Sequence, residues 1–169
     1  MRPKVPAMLG LKLDDRDLKI LSILSREGRL SKAALAERVN LTPTPCMQRL
    51  NRLEAAGVIA GYHAEIALHK IGPHVTVFVT LELESHSAES FRSFEKLVSG
   101  REEIVNCWAV GGGLDYLLEV VTRDIDAYQR LIDGLLEAGA AIARYYTYIV
   151  TKQTKAGPLP LEAILEPGP

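Results

Sequence analysis

Thr44, Gln48, Asn51 and Arg52 fall on one side of a short helical pattern that opens at Thr42 and closes at Gly57, with Met47 beside them. Hydroxyl, amide and guanidinium groups at this spacing match the base edges of the DNA major groove, where each base pair presents its own order of donors and acceptors. The other side is apolar: Cys46, Leu50 and Leu53 recur at i, i+4 and i+7, the period of a buried stripe. Thr42 is placed to cap the helix, and Pro43 stands in its first turn, where a missing N–H costs nothing. Lys32, Thr42, Pro45 and Arg49 complete the set expected at a DNA interface. An ordinary helical hairpin with a solvated polar face has the same periodicity, so the neighbouring elements must decide.

Those neighbours fit a three-helix unit. Ser31 is a second N-cap candidate, and Ala34, Leu35 and Val39 follow at helical spacing until the pattern breaks at Asn40 and Leu41. Upstream, LDDRDLKILSIL predicts a first helix, acidic in its opening turn as the helix dipole favours, with Leu18, Leu21 and Leu24 bracing the other two. After Gly57, residues 58–62 (VIAGY) read as a short strand leading away. Charge divides at the same place. Residues 1–62 hold 11 basic and 6 acidic side chains, net +5, while residues 63–169 hold 9 and 15, net −6, inside a total of −1. A basic half suits phosphate contacts, and an acidic half suits a domain that stays off the DNA.

The second half alternates strands and helices. Val75, Val77, Val79, Leu81 and Leu83 alternate with Thr76, Phe78, Thr80 and Glu82, the period of a strand with one face in a core. Phe91, Phe94 and Val98 then make a helical face. Residues 104–110 and 116–122 read as strands around the turn Gly111-Gly112-Gly113-Leu114-Asp115. Ile125, Tyr128, Leu131, Ile132 and Leu135 form a second helix capped by Asp124, and residues 144–151 a last strand. The order β-α-β-β-α-β predicts a ferredoxin-like four-stranded antiparallel sheet with both helices on one face, so the fold class is α+β. Its other face, carrying Phe78, is left for a partner, and a second copy of the chain is the commonest solution.

In order and spacing, LDDRDLKIL, the turn Gly28-Arg29-Leu30-Ser31, LTPTPC and RLEAAGVIAGY resemble the Lrp/AsnC, or feast/famine, family of prokaryotic regulators, and the resemblance covers roughly residues 12–161. It implies a winged helix-turn-helix ahead of a sheet domain that pairs into homodimers, with dimers assembling into tetramers or octamers. It further implies an amino-acid or related effector held near the loop joining the second and third strands. Here Gly112, Asp115 and Tyr116 match the family's Gly-x-x-Asp-Tyr pattern, so Gly111, Gly112, Gly113, Leu114, Asp115 and Tyr116 become effector candidates, joined by Tyr146 and Thr147 on the last strand. The chemistry is apt, since glycines let backbone N–H groups approach a carboxylate and an aspartate can hold an ammonium group. A plain tight turn capped by Asp115 accounts for the same residues. Gly113 departs from the polar residue frequent in the family, which leaves the ligand's side-chain preference open. LKIL and ERVNL are also similar to a branch of the family acting on ectoine or related amino-acid catabolism.

Other functions find little support. His63, His69, His74 and His86 have no His-x-x-x-His or Cys-x-x-Cys spacing, so no metal, cofactor or catalytic residue is expected. Neither a signal segment nor a membrane span is legible, and Cys46 and Cys107 read as small core residues, pointing to the cytoplasm. The expected organisation is a flexible arm over residues 1–11, a DNA-binding domain over 12–62, a linker over 63–74, a sensing and oligomerisation domain over 75–154 and a tail over 155–169, whose Leu159 and Leu161 are placed to dock on a neighbouring subunit. The expected partners are double-stranded DNA, the effector and further copies of the chain. Two alternatives stay open: an effector-independent architectural DNA-binding protein, and a small ferredoxin-like enzyme with an attached DNA-binding domain.

Overall fold

The computed structural model describes residues 12–165, so the arm expected over residues 1–11 and the last four residues of the tail lie outside the described residues. The described residues form two compact units, one spanning Ile66–Thr154 and the other joining residues 12–65 with residues 155–165.

The first unit is built on three helices, α1 (Asp15–Leu24), α2 (Lys32–Arg38) and α3 (Pro43–Ala55). A capping box starts α1: the Asp14 carboxylate accepts from the Arg16 and Asp17 N–H groups, and the Asp17 carboxylate accepts from Asp14 N–H. Ser31 caps α2 by accepting from Ala34 N–H. Asn40, at φ 54°, turns the chain into α3, and Gly57, at φ 70°, leads it away. Ile20, Leu35, Ala36, Val39, Cys46, Leu50 and Leu53 form the core. Cys46, Leu50 and Leu53 thus make the buried stripe expected of them. In α1 the central residue is Ile20 instead of Leu18; Leu21 and Leu24 pack against it half-buried.

The strand expected over residues 58–62 does not form. The Val58 and Ile59 N–H groups both go to Leu53 O, at 3.0 and 3.4 Å. A strand exists only by pairing, and among the described residues this unit offers no ladder partner. After residue 154 the chain returns to this unit, where the short helix α6 (Leu161–Leu165) lies beside α1.

The second unit follows the expected order: β1 (Val75–Leu83), α4 (Ala88–Ser99), β2 (Ile104–Ala109), β3 (Tyr116–Thr122), α5 (Ile125–Glu137) and β4 (Ile142–Ile149), preceded by a 3₁₀ turn at Leu68–Lys70. The strands lie in the order β2-β3-β1-β4 and every neighbouring pair is antiparallel. β4 begins two residues earlier than its pattern indicated, because Ile142 already pairs with Leu83 past an irregularity at the end of β1. Val77, Val79, Leu81 and Leu83 face Phe94 and Val98 of α4 and Tyr128, Leu131, Ile132 and Leu135 of α5. Each such side chain contributes roughly 1.5–3 kcal/mol when fully buried, which fixes the register, since a one-residue slip would turn the whole set to the other face.

That other face is uncovered. Phe78 lies opposite Tyr148, Thr80 opposite Tyr146 and Leu117, and Trp108 opposite Leu117. Trp108, Tyr146 and Tyr148 are exposed, at 43, 49 and 54% of their accessible surface. The buried Thr80 hydroxyl among them has no hydrogen-bond partner among the described residues. Cys107, expected in the core, is exposed because β2 is an edge strand. Partial desolvation by its neighbours, with the Glu95 charge adding, pushes its thiol up to about 11.

Candidate nucleic-acid interface and effector loop

Helix α3 presents its outward side as the buried stripe dictates. With Cys46, Leu50 and Leu53 inward, Thr44, Gln48 and Asn51 form an exposed stripe at i, i+4 and i+7, bordered by Thr42 and Pro45. Thr42 takes the N-cap position but makes no side-chain cap bond, and neither Pro43 nor Pro45 has an N–H. The first turn therefore offers hydroxyls and the Thr44 N–H in place of a cluster of backbone donors. Met47 is half-buried against the helical core, where it fills space and does not join the outward stripe.

The two arginines of α3 turn toward α1. Arg49 Nη1 donates to Asp14 Oδ2 at 2.6 Å and to Asp17 Oδ1 at 2.9 Å, and Arg52 Nη2 donates to Asp17 Oδ2 at 2.5 Å. Asp17 is wholly inaccessible to solvent. Hydrogen bonds donated to Asp14 and then to Asp17 raise the Arg49 pKa, while the Asp17 N–H and the Arg49 guanidinium hold the Asp14 carboxyl below the usual aspartate value. Sequence reasoning missed Asp17, although its phase gave the signal: it shares a helical face with Ile20 and Leu24, so an acid sits in the apolar stripe of α1. Arg16 Nη1 meanwhile donates to Val39 O and Asn40 O, both at 2.7 Å, and so holds the turn between α2 and α3.

Cations without an ion pair lie elsewhere in this unit. Among the described residues they include Lys19, Arg26, Arg29 and Lys32, all exposed; Arg38 is spent on Glu27 at 2.6 Å. Arg26 and Arg29, absent from the candidate set read from sequence, flank Gly28 in the turn before α2 and border an open cleft with Tyr62 and His63.

The glycine loop joins β2 to β3. The Val110 N–H donates to Asp115 O and the Asp115 N–H to Leu81 O, both at 2.9 Å. Gly112 stands at φ 127°, a conformation that favours glycine. A Cβ at Gly111, Gly112 or Gly113 would meet no atom within 4 Å, so the loop is open to an approaching molecule. Asp115 Oδ2 accepts from Leu83 N–H at 2.8 Å and lies 3.2 Å from His86 Nε2. His86 therefore has a carboxylate neighbour in space that lies 29 residues away in the sequence.

The remaining effector candidates separate. Leu114 is half-buried, whereas Tyr116 is 2% accessible, its ring centroid 4.6 Å from that of Phe94 and its hydroxyl donating to Glu95 Oε1 at 3.1 Å. In this chain Tyr116 is a core residue behind the loop. Tyr146 and Thr147 point to opposite faces of β4: Tyr146 joins the open sheet face, while the Thr147 hydroxyl hydrogen-bonds the Tyr128 hydroxyl beside α5. Among the described residues, no group of three His, Cys, Asp or Glu side chains is arranged to hold a metal ion, and no helix is long and apolar enough to cross a membrane.

Comparison with known proteins places both units. Residues 13–60 match the family model for a winged helix-turn-helix DNA-binding domain, and residues 76–160 that for the Lrp/AsnC ligand binding domain. The transcriptional regulatory protein DoeX of Halomonas elongata is 52% identical over 86% of this chain and 92% of its own length. The leucine-responsive regulatory protein of Escherichia coli K12 is 37% identical over 86% and 89% respectively. Among solved structures, an AsnC family transcriptional regulator from Agrobacterium tumefaciens superposes with a TM-score of 0.83 at 36% identity, covering 90% of this chain and all of that one. A transcriptional regulator from Neisseria meningitidis in complex with L-Met superposes with a TM-score of 0.84 at 30% identity, covering 91% and all of that chain.

Proposed function

This chain belongs to the Lrp/AsnC family of transcriptional regulators, and from that premise we propose that it acts in the cytoplasm as a one-component regulator, a homodimer or larger assembly whose DNA affinity responds to an amino acid or amino-acid derivative. The observation that carries the reading is the exposed stripe Thr44, Gln48, Asn51 on a helix whose opposite side is fully committed to the core. In this reading Gln48 and Asn51 read base edges, Thr42, Thr44 and Pro45 fit the groove wall, and Lys32, Arg26 and Arg29 hold phosphates. The open glycine loop receives the effector's carboxylate on its backbone N–H groups, and Asp115 receives the ammonium. The leucine-responsive relative and the L-Met complex support an effector of the amino-acid class.

The test begins with duplexes selected from a random pool by the full-length protein, followed by titration of Gln48→Ala against them. The variant is expected to lose roughly 1–3 kcal/mol of discrimination at one base position and to keep its affinity at the others. Uniform weakening at every position would remove Gln48 from the reading face. A thermal-shift screen of L-amino acids, ectoine and its open-chain derivatives tests the sensor. No stabilising compound in that set would favour an effector-independent architectural role.

A further inference from the structure

We infer that Asp17 is the positioning residue of the recognition helix, its buried carboxylate holding Arg49 and Arg52 against α1 so that these two arginines set the pose of α3 and do not contact DNA. The inference rests on the reading of α3 as the DNA-facing helix. Asp17 accepts three hydrogen bonds, from Arg49 Nη1, Arg52 Nη2 and the Asp14 N–H, and it has no solvent-accessible surface. The two arginines stand three residues apart, about 4.5 Å along the helix axis, so one carboxylate grips α3 at two heights. They lie between the buried stripe and the outward stripe, where a grip resists rotation about the axis. Rotation matters because neighbouring residues are about 100° apart around a helix, so a small turn takes Gln48 and Asn51 off the base edges.

The electrostatics agree with the geometry. Asp14 and Asp17 supply two negative charges and Arg49 and Arg52 two positive ones, so the cluster is neutral and adds nothing to the pull of the phosphates. Withdrawing either arginine toward DNA would leave a buried carboxylate short of a partner, a penalty that a solvent-exposed phosphate contact does not repay.

The experiment measures affinity of the full-length protein for two duplexes, one of random sequence and one selected by wild type, across a range of salt. Each phosphate neutralised contributes about 0.9 to the slope of log affinity against log salt. For Arg52→Gln we expect an unchanged slope on random duplex and a loss of about tenfold or more in preference for the selected duplex. For Asp17→Asn we expect a slope steeper by about one, as a freed arginine reaches a phosphate, with a similar loss of preference. The double variant Asp17→Asn with Arg52→Gln is expected to return the slope to the wild-type value. A slope about one shallower in Arg52→Gln makes Arg52 a phosphate contact and overturns the inference. A fall in melting temperature with slope and preference both unchanged reduces the cluster to folding alone and overturns it too. If Asp17→Asn does not fold, by its far-ultraviolet circular dichroism, Arg52→Gln still decides. Salt-independent or absent binding by wild type removes the DNA-reading assignment and this role together, an outcome distinct from the other two.

Discussion

Asp115 is asked to do two things with one carboxylate. Its Oδ2 accepts the Leu83 N–H and lies beside His86, which ties the glycine loop to the end of β1. A carboxylate so placed can also meet an ammonium group at the loop's open side. Asp115→Asn separates the roles, because the amide keeps a carbonyl oxygen for Leu83 but carries no charge. If the proposed effector binds there, the substitution is expected to weaken effector binding by roughly 2–4 kcal/mol, read by calorimetry with the compound found in screening, while DNA affinity without effector changes little. Equal effector affinity in both proteins would return Asp115 to the role of a turn clamp. At this scale the sequence was readable for most of α3, where Cys46, Leu50, Leu53, Gln48 and Asn51 lie where spacing put them, but not for Met47, nor for Leu18 of α1. It was unreadable for Arg49 and Arg52. A long side chain on the border between two faces is aimed by its partner, and that partner, Asp17, lies more than thirty residues away. The burial of Tyr116 was unreadable for a similar reason, since a motif gives a residue's position along the chain but not the direction of its ring.

Two helix starts were legible because caps are local: Ser31 and Asp124 each accept an N–H three residues on, a pattern that needs no tertiary context, whereas Thr42 takes its position without the bond. The segment after α3 was misread because strand formation depends on a partner that local sequence cannot supply. Asp14 gives the element-scale prediction. Its folded-state pKa lies below the ordinary 3.8, so its charged form stabilises the folded state; the effect is complete above that value and is lost as pH falls from there through the folded pKa. Melting temperatures of wild type and Asp14→Asn, measured from pH 7 down to about pH 2, are expected to differ most at neutral pH and to converge below about pH 4. Two parallel curves would mean that the charge of Asp14 adds nothing to the cap.

For the whole molecule, the open face of the sheet sets the expectation. Trp108, Tyr146 and Tyr148 lie on it with Phe78 and Leu117, bounded by the Arg144–Glu82 ion pair and the Asn106–Glu119 hydrogen bond. Covering such a surface yields roughly 25 cal/mol per Å² of apolar area, enough at ordinary interface sizes to hold a dimer. Sedimentation of the full chain at micromolar concentration is therefore expected to show a dimer or larger species, and Trp108→Glu with Tyr146→Glu to shift it toward monomer with the fold retained. A wild-type monomer at that concentration would leave the aromatic face without its proposed partner.

The register of that sheet also constrains the order in which the chain can acquire its structure. The strand pair β1 and β4 joins residues roughly 60 to 70 positions apart, whereas α1, α2 and α3 complete their contacts within a few dozen residues. On a ribosome, the helical unit has its core sequence in hand as soon as Leu53 and Ile59 have emerged. The sheet must wait until β4 (Ile142–Ile149) has been made before β1 gains its second neighbour. Each nascent chain thus passes through an interval in which its helices are able to fold and its pairing surface does not yet exist.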